Sequence, residues 1–169
     1  ILSDLFASLS IVLDRPFVLG DFLVLGGEHL GAVEHIGLKT TRVRSLSGEQ
    51  LVLSNSELLR SRIRNSGRMV ERRVPFSLSV VYATTREQLG RIPGRIRAAI
   101  EAQPDVRFDR AHFKEFGDSG LTFEVVYYVL SADYNTFMDR QQAINLAIYE
   151  AFEDDGVGFA FPTRTLHLD

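Results

Sequence analysis

Apolar residues recur at helical intervals from Leu2 to Leu13, through Leu5, Phe6, Leu9 and Val12, with the small residues Ser3, Ala7, Ser8 and Ser10 between them. This pattern predicts a helix over residues 1–13. Pro16 disfavours helical backbone at Arg15, so the helix is expected to stop near Asp14. A helix this short is marginal alone and needs a surface to lie on, which the chain itself need not supply.

From residue 17 the period shortens to two. Phe22 and Val24 precede Gly26-Gly27, a turn signal. Leu30, Ala32 and Glu34 then alternate with Gly31, Val33 and His35. Thr41, Val43 and Ser45 alternate with Arg42 and Arg44, and Ser47-Gly48 turns the chain into a strand at Gln50–Leu53. Residues 17–65 are too few for a seven-stranded sandwich, so a small barrel-like unit is expected. Residues 66–72 are polar and read as a crossing to a second unit.

The second unit changes pattern again. A strand is predicted at Arg73–Tyr82. A helical pattern covers Thr84–Gln103, with Leu89, Ile92, Ile96, Ala99 and Ile100 on one face. Pro93 lies inside it and is expected to kink the helix or mark its true start. Strands follow at Arg107–Phe116 and Leu121–Leu130, joined by a turn at Gly117–Gly120. Tyr134–Asp154 is a helix with Phe137, Ile144, Ile148 and Phe152 aligned, closed by Gly156 and Gly158, and Phe159–Leu168 returns as a strand. The order β-α-β-β-α-β is the ferredoxin-like arrangement, so the fold class is α+β. Leu121–Leu130 is apolar on both faces. The face carrying Val126, Tyr128 and Leu130 is therefore expected to meet another domain or subunit.

Composition narrows the chemistry. The 169 residues are 45% hydrophobic and 24% charged, which suits a folded chain, and the net charge of −3 makes the whole chain a poor polyanion binder. The absence of cysteine excludes disulfides, thiolate zinc sites and a cysteine nucleophile. No stretch approaches the roughly 20 apolar residues that span a bilayer. The chain opens on Ile1, not Met, so it is expected to be a fragment, and the absence of a span here says nothing about the parent protein.

No catalytic set is legible. His29, His35, His112 and His167 lie at no metal-ligand spacing and read as surface or strand-packed residues. Gly117-Asp118-Ser119-Gly120 copies the tetrapeptide around a serine-protease nucleophile but lacks the other partners, so it reads as a hairpin loop. Glu150, Glu153, Asp154 and Asp155 lack the ligand alternation of a calcium loop and read as a solvated helix end. A phosphatase-type anion cradle after the first strand of the second unit is not supported, because Val81–Thr85 contains neither glycine nor arginine. The expectation is a protein that is no enzyme and holds no metal or cofactor.

Arg60, Arg62, Arg64, Arg68, Arg72 and Arg73 form the one dense charge feature, in a chain whose 19 Lys and Arg residues include only two lysines, Lys39 and Lys114. These arginines are candidates for ion pairs with a neighbouring subunit or domain. The alternative is an RNA-binding module using the Arg60–Arg73 stretch. No aromatic residue lies in that stretch to stack on bases, so nucleic acid is not expected.

Residues 15–65 resemble the small-conductance mechanosensitive (MscS) channel family. Arg15-Pro16-Phe17-x-x-Gly20-Asp21 is similar to the signature that follows the family's pore helix. It continues through Gly31-x-Val33, Ile36-Gly37-Leu38, Thr40-Thr41-x-x-Arg44, Gly48, Leu51-Val52, Asn55-Ser56, Leu58, Ile63 and Asn65. Phe161–Leu168 resembles the strand that closes the family's last extramembrane domain. The family usually has proline before Asn55, where this chain has Ser54.

The resemblance implies three parts: residues 1–14 as the cytosolic end of the pore-lining helix, 15–68 as an Sm-like β domain and 69–169 as a ferredoxin-like α/β domain. It also implies a homo-heptamer in the cell inner membrane, anchored by helices absent from this chain. That assembly would enclose a cytoplasmic vestibule through which ions and small osmolytes leave on hypoosmotic shock. Phe17 is expected as an apolar plug or plain core residue at the junction. A self-contained protein whose first helix folds back onto its own barrel would overturn the reading.

Overall fold

A computed structural model describes residues 2–25 and 28–162. They fall into two compact units, Ile1–Met69 and Val70–Asp169. No helix among the described residues is long and apolar enough to cross a membrane.

In the first unit, α1 (Leu2–Asp14) precedes β1 (Phe22–Leu25), β2 (Glu28–Ile36), β3 (Thr40–Arg44), β4 (Gln50–Ser54), α2 (Asn55–Arg60) and β5 (Ile63–Asn65). A short 3-10 turn follows at Ser66–Arg68. The strands form one antiparallel sheet in the order β4-β3-β2-β1-β5, the Sm-like arrangement, with bulges at Leu23/Val24 and Val33/His35 that increase its curvature. The predicted alternation holds in β3, where Thr41 and Val43 point inward and Arg42 and Arg44 outward. Ile11, Phe17, Leu23, Val33, Val43 and Leu58 make the core. The expected Gly26-Gly27 turn lies outside the described residues.

Gly31 explains how β2 lies so close to β3. Its φ is +141°, and a Cβ there would sit 1.8 Å from the Arg44 carbonyl oxygen. Only a residue without a side chain admits that backbone approach. Across the same strands, the Arg44 guanidinium donates to both carboxylate oxygens of Glu34 (2.8 and 3.0 Å), and Gln50 adds a bond from β4 at 2.9 Å. These bonds hold the Glu34 carboxyl below its ordinary pKa, the Arg44 bond contributing most.

The second unit contains β6 (Arg72–Val80), α3 (Arg86–Glu101), β7 (Val106–Phe116), β8 (Leu121–Val129) and α4 (Tyr134–Asp154). The sheet order is β6-β8-β7, and Phe159 bridges Val80 on the far side of β6. That is the ferredoxin-like order with the fourth position begun. The expected strand Phe159–Leu168 mostly falls outside the described residues.

Helix α3 is continuous through Pro93 and starts seven residues before it. Thr85 and Gln88 form a capping box there, and the orphan amides of the first turn are satisfied well upstream of the proline. Asp133 caps α4, accepting from the Thr136 amide at 2.6 Å. The helices are fastened where the start of α3 meets the end of α4. Gln88 donates to the Asp155 carbonyl (2.9 Å), and Arg95 donates twice to the Asp155 carboxylate (2.8 and 2.7 Å). The Arg95 hydrogen bonds hold the Asp155 carboxyl below its ordinary value. Asp155 is thus an anchor, not part of a purely solvated acidic face.

The outer face of the second sheet is polar, contrary to the apolar surface expected from Leu121–Leu130. Val126 is fully buried between its cross-strand neighbours Pro75 and Arg110, and the Arg107 guanidinium lies 4.1 Å from the Tyr128 ring centroid. Arginine stems cover these apolar groups from within the unit. Ion pairs Arg107–Glu71, Arg110–Glu124 and Lys114–Glu124 lace the surface.

Tyr127 occupies the core beneath α4 and donates to Gln141 Oε1 at 2.9 Å. Burial pushes its phenol from 10.0 up to about 12. Below the unfolded value both states are neutral; above it the unfolded chain ionises first. The second unit should therefore lose stability as pH rises from about 10 towards 12. In alkaline denaturation, Tyr127→Phe should flatten that slope.

Candidate functional site

The corner where α1 enters the β unit gathers Arg15, Pro16, Phe17, Gly20 and Asp21, the first group singled out in the sequence. Helix α1 ends at Asp14 as Pro16 predicts, and the Arg15 amide donates to the Ile11 carbonyl at 3.0 Å. Arg15 itself takes φ +46°, the left-handed conformation that closes many helices and usually falls to glycine. Phe17 then drops into the core, only 1% exposed.

Gly20, at φ +88°, turns the chain back. Its amide donates to Val33 and the Val33 amide donates to the Asp21 carbonyl (2.8 and 2.9 Å), which joins the corner to β2. The Asp21 carboxylate accepts from the Val18 amide at 3.0 Å and from Asn65 Nδ2 at 2.6 Å. Asn65 Nδ2 also reaches the Pro16 carbonyl at 3.4 Å, and its Oδ1 accepts the Gly67 amide at 3.0 Å. Arg68 Nη2 donates to the Arg15 carbonyl at 2.6 Å, and its Nε stands 4.0 Å from Asp21.

A second polar knot lies at Asn55, which is fully buried. Its side chain donates to the Gly37 carbonyl and accepts from Thr41 Oγ1, both at 2.8 Å, while its amide donates to the Lys39 carbonyl. Asn55 thus fixes the β2–β3 turn beside Ile36 and Gly37. Ser54, which stands where the family usually has proline, caps α2 by accepting the Glu57 amide at 3.1 Å. Its φ of −69° would suit either residue. Asn55→Ala strands the Gly37 carbonyl and the Thr41 hydroxyl, and should cost about 2 kcal/mol in urea denaturation.

Helix α1 is partly partnered within its own unit. Ala7, Ser8 and Ile11 are buried, whereas Leu5, Phe6, Leu9, Val12 and Leu13 are exposed, Phe6 and Leu13 by 68% and 71%. The helix folds back by Ala7, Ser8 and Ile11 and leaves Leu5, Phe6, Leu9, Val12 and Leu13 outward. Between that side and His35–Leu38 runs an open groove of about 770 Å³, lined almost wholly by apolar groups.

The six arginines differ in their surroundings. The side chains of Arg60, Arg62 and Arg64 are exposed and have no hydrogen-bond or ion-pair partner among the described residues, and the same holds for that of Arg73. Arg68 serves the corner. Arg72 lies over the rings of Tyr134 and Phe137, at 5.5 and 5.3 Å. Gly117–Gly120 closes a hairpin between β7 and β8 through a 2.8 Å bond from the Gly117 amide to the Gly120 carbonyl. No cluster of metal-ligating side chains occurs among the described residues. His167 lies outside them.

The two units match two protein families in turn. The family described as the mechanosensitive ion channel β-domain matches residues 1–68, and the mechanosensitive ion channel MscS C-terminal family matches residues 74–159. The chain belongs to the MscS family, whose members are channels and not enzymes. The small-conductance mechanosensitive channel MscMJ of Methanocaldococcus jannaschii is 34% identical over 99% of this chain and 48% of its own length. An MscS family protein of Aquifex aeolicus is 33% identical over 98% of this chain and 46% of its own. The chain thus spans about half the length of these relatives. The Helicobacter pylori MscS crystal structure in its closed state shares the fold, with TM-score 0.80 and 23% identity over 99% of this chain and 65% of that one.

Proposed function

We propose that this chain is the extramembrane part of a mechanosensitive channel in a bacterial inner membrane, on the cytoplasmic side. Residues 1–14 end the pore-lining helix, residues 15–68 form the Sm-like domain beneath it, and residues 69–169 form the α/β wall of a vestibule. Membrane tension opens the pore, and ions and small osmolytes leave during hypoosmotic shock.

The observation that carries this reading is the half-covered helix α1. A self-contained protein would bury Leu5, Phe6, Leu9, Val12 and Leu13; a helix continuing into lipid and packing against copies of itself would leave them outward. The sheet supports assembly as well. Strands β4 and β5 are each paired on one side only among the described residues, leaving an open edge at both ends of the sheet. Such edges join head to tail and close into a ring when the rotation permits, and seven copies is the number this family resemblance implies. In that ring Arg60, Arg62 and Arg64 face acidic groups of the neighbouring subunit. Arg15, Pro16, Phe17, Gly20 and Asp21 build the corner, and Gly31, Val33, Ile36, Gly37 and Asn55 build the sheet that supports it.

The test is to express the full-length gene in bacteria lacking mechanosensitive channels and apply osmotic downshock. Survival should rise, and native mass spectrometry of the purified protein should give seven subunits. Unchanged lysis together with a monomeric mass would overturn the proposal.

A further inference from the structure

The corner holds a conformational tension of its own. Arg15 carries a β-carbon in the left-handed region, at φ +46°, immediately before a proline that confines it further. The local bond from the Arg15 amide to the Ile11 carbonyl accompanies that conformation, and tertiary bonds hold it further. Two are present. Arg68 Nη2 donates to the Arg15 carbonyl at 2.6 Å, and Asn65 Nδ2 donates to the next carbonyl, that of Pro16, at 3.4 Å. Both donors are themselves tied to Asp21, Asn65 at 2.6 Å and Arg68 at 4.0 Å. Gly67 lets this cluster close, since a Cβ there would come within 2.8 Å of Asp21 Oδ1.

We propose that Arg68, supported by Asn65, is a positioning residue that latches the exit of α1 against the strain at Arg15. The latch and the strain oppose each other. The Arg68 bond favours the corner as it stands. The left-handed Arg15 favours leaving it, by roughly tenfold in population for a residue with a β-carbon. Under the channel reading, on which this part rests, the balance sets how readily α1 changes its angle when the membrane is stretched.

The variants are Arg68→Ala, Arg15→Gly and Arg15→Ala, the last removing the side chain while keeping the strain. In amide hydrogen exchange of the full-length protein, Arg68→Ala should speed exchange at Arg15 and Val18 about 3- to 10-fold. Arg15→Gly should slow it about tenfold relative to Arg15→Ala. Amides of β3 and β4 should not change. A simple loss of fold would instead move them all, and would overturn the latch; so would equal exchange in all variants.

In patches of full-length channel, Arg68→Ala and Arg15→Gly should shift the pressure of half-activation in opposite directions. Coincident thresholds beside a tension-activated wild type would overturn the gating role. A wild type without tension-activated current would instead remove the channel reading, leaving exchange to decide the latch alone.

Discussion

Gly31→Ala is expected to unfold the β unit or weaken it by about 4 kcal/mol. Two costs add. The backbone at φ +141° disfavours any residue with a side chain, and the new methyl would collide at 1.8 Å with the Arg44 carbonyl oxygen, which a flexible neighbour cannot relieve because it is main chain. To make room, β2 must move away from β3, which breaks the pairing of Ala32 with Arg44 and of Val33 with Val43. Gly48→Ala is the control. Gly48 also has positive φ, at +91°, but an added Cβ there meets nothing within 4 Å, so the cost should be only about 1 kcal/mol. Urea denaturation of both variants, followed by resonances of the first unit, measures the difference. Equal midpoints for the two would show that the close approach to Arg44 does not constrain the sheet.

Gly31 also illustrates what could be read from the chain. The alternation around it predicts a strand, and the strand is there. The reason for glycine lies on another strand, at Arg44, and cannot be seen in the local pattern. The long helices α3 and α4 and the paired runs of β2, β3 and β4 were legible because each carries several turns or alternations of one period. Helix α2 and strand β5 were not, being six and three residues long with too few apolar positions to show a period.

Helix α1 was legible as a helix, but its buried side was hidden. The eye goes to Leu5, Phe6, Leu9 and Leu13, whereas the buried side is Ala7, Ser8 and Ile11, and the first two are small enough to let the helix approach α2 closely. The arginine run likewise hides the separate contacts of its members. Proximity in sequence suggests one basic surface, yet Arg68 reaches back 53 positions to a carbonyl and Arg72 covers two rings. Of the corner's residues, the sequence supplied the identities through family resemblance, while their mutual bonds depend on Asn65 and Arg68 arriving from the far end of the unit.

Phe17→Ala should cost about 3–5 kcal/mol, the range for a large aromatic lost from a core. Phe17 is 1% exposed and packs with Ile11 from the helix and with Leu23, Val33, Val43 and Leu58 from the sheet unit. It is the first residue after the corner to enter the core, so its loss leaves a void beneath the last turn of α1 as well as in the sheet. Two consequences separate it from an ordinary core residue. The amides of α1 should lose protection along with those of β1, because Ile11 and Phe17 share one cluster. Phe17→Leu, which keeps most of the volume, should cost less than about 1.5 kcal/mol and retain the helix. Phe6→Ala supplies the contrast, since Phe6 is 68% exposed and its truncation should leave the unfolding midpoint nearly unchanged. Chemical denaturation with circular dichroism gives the midpoints, and hydrogen exchange locates the loss. If Phe17→Ala lowered stability while α1 kept its full protection, the helix would be held by something other than the shared core, and Phe17 would be a residue of the sheet alone.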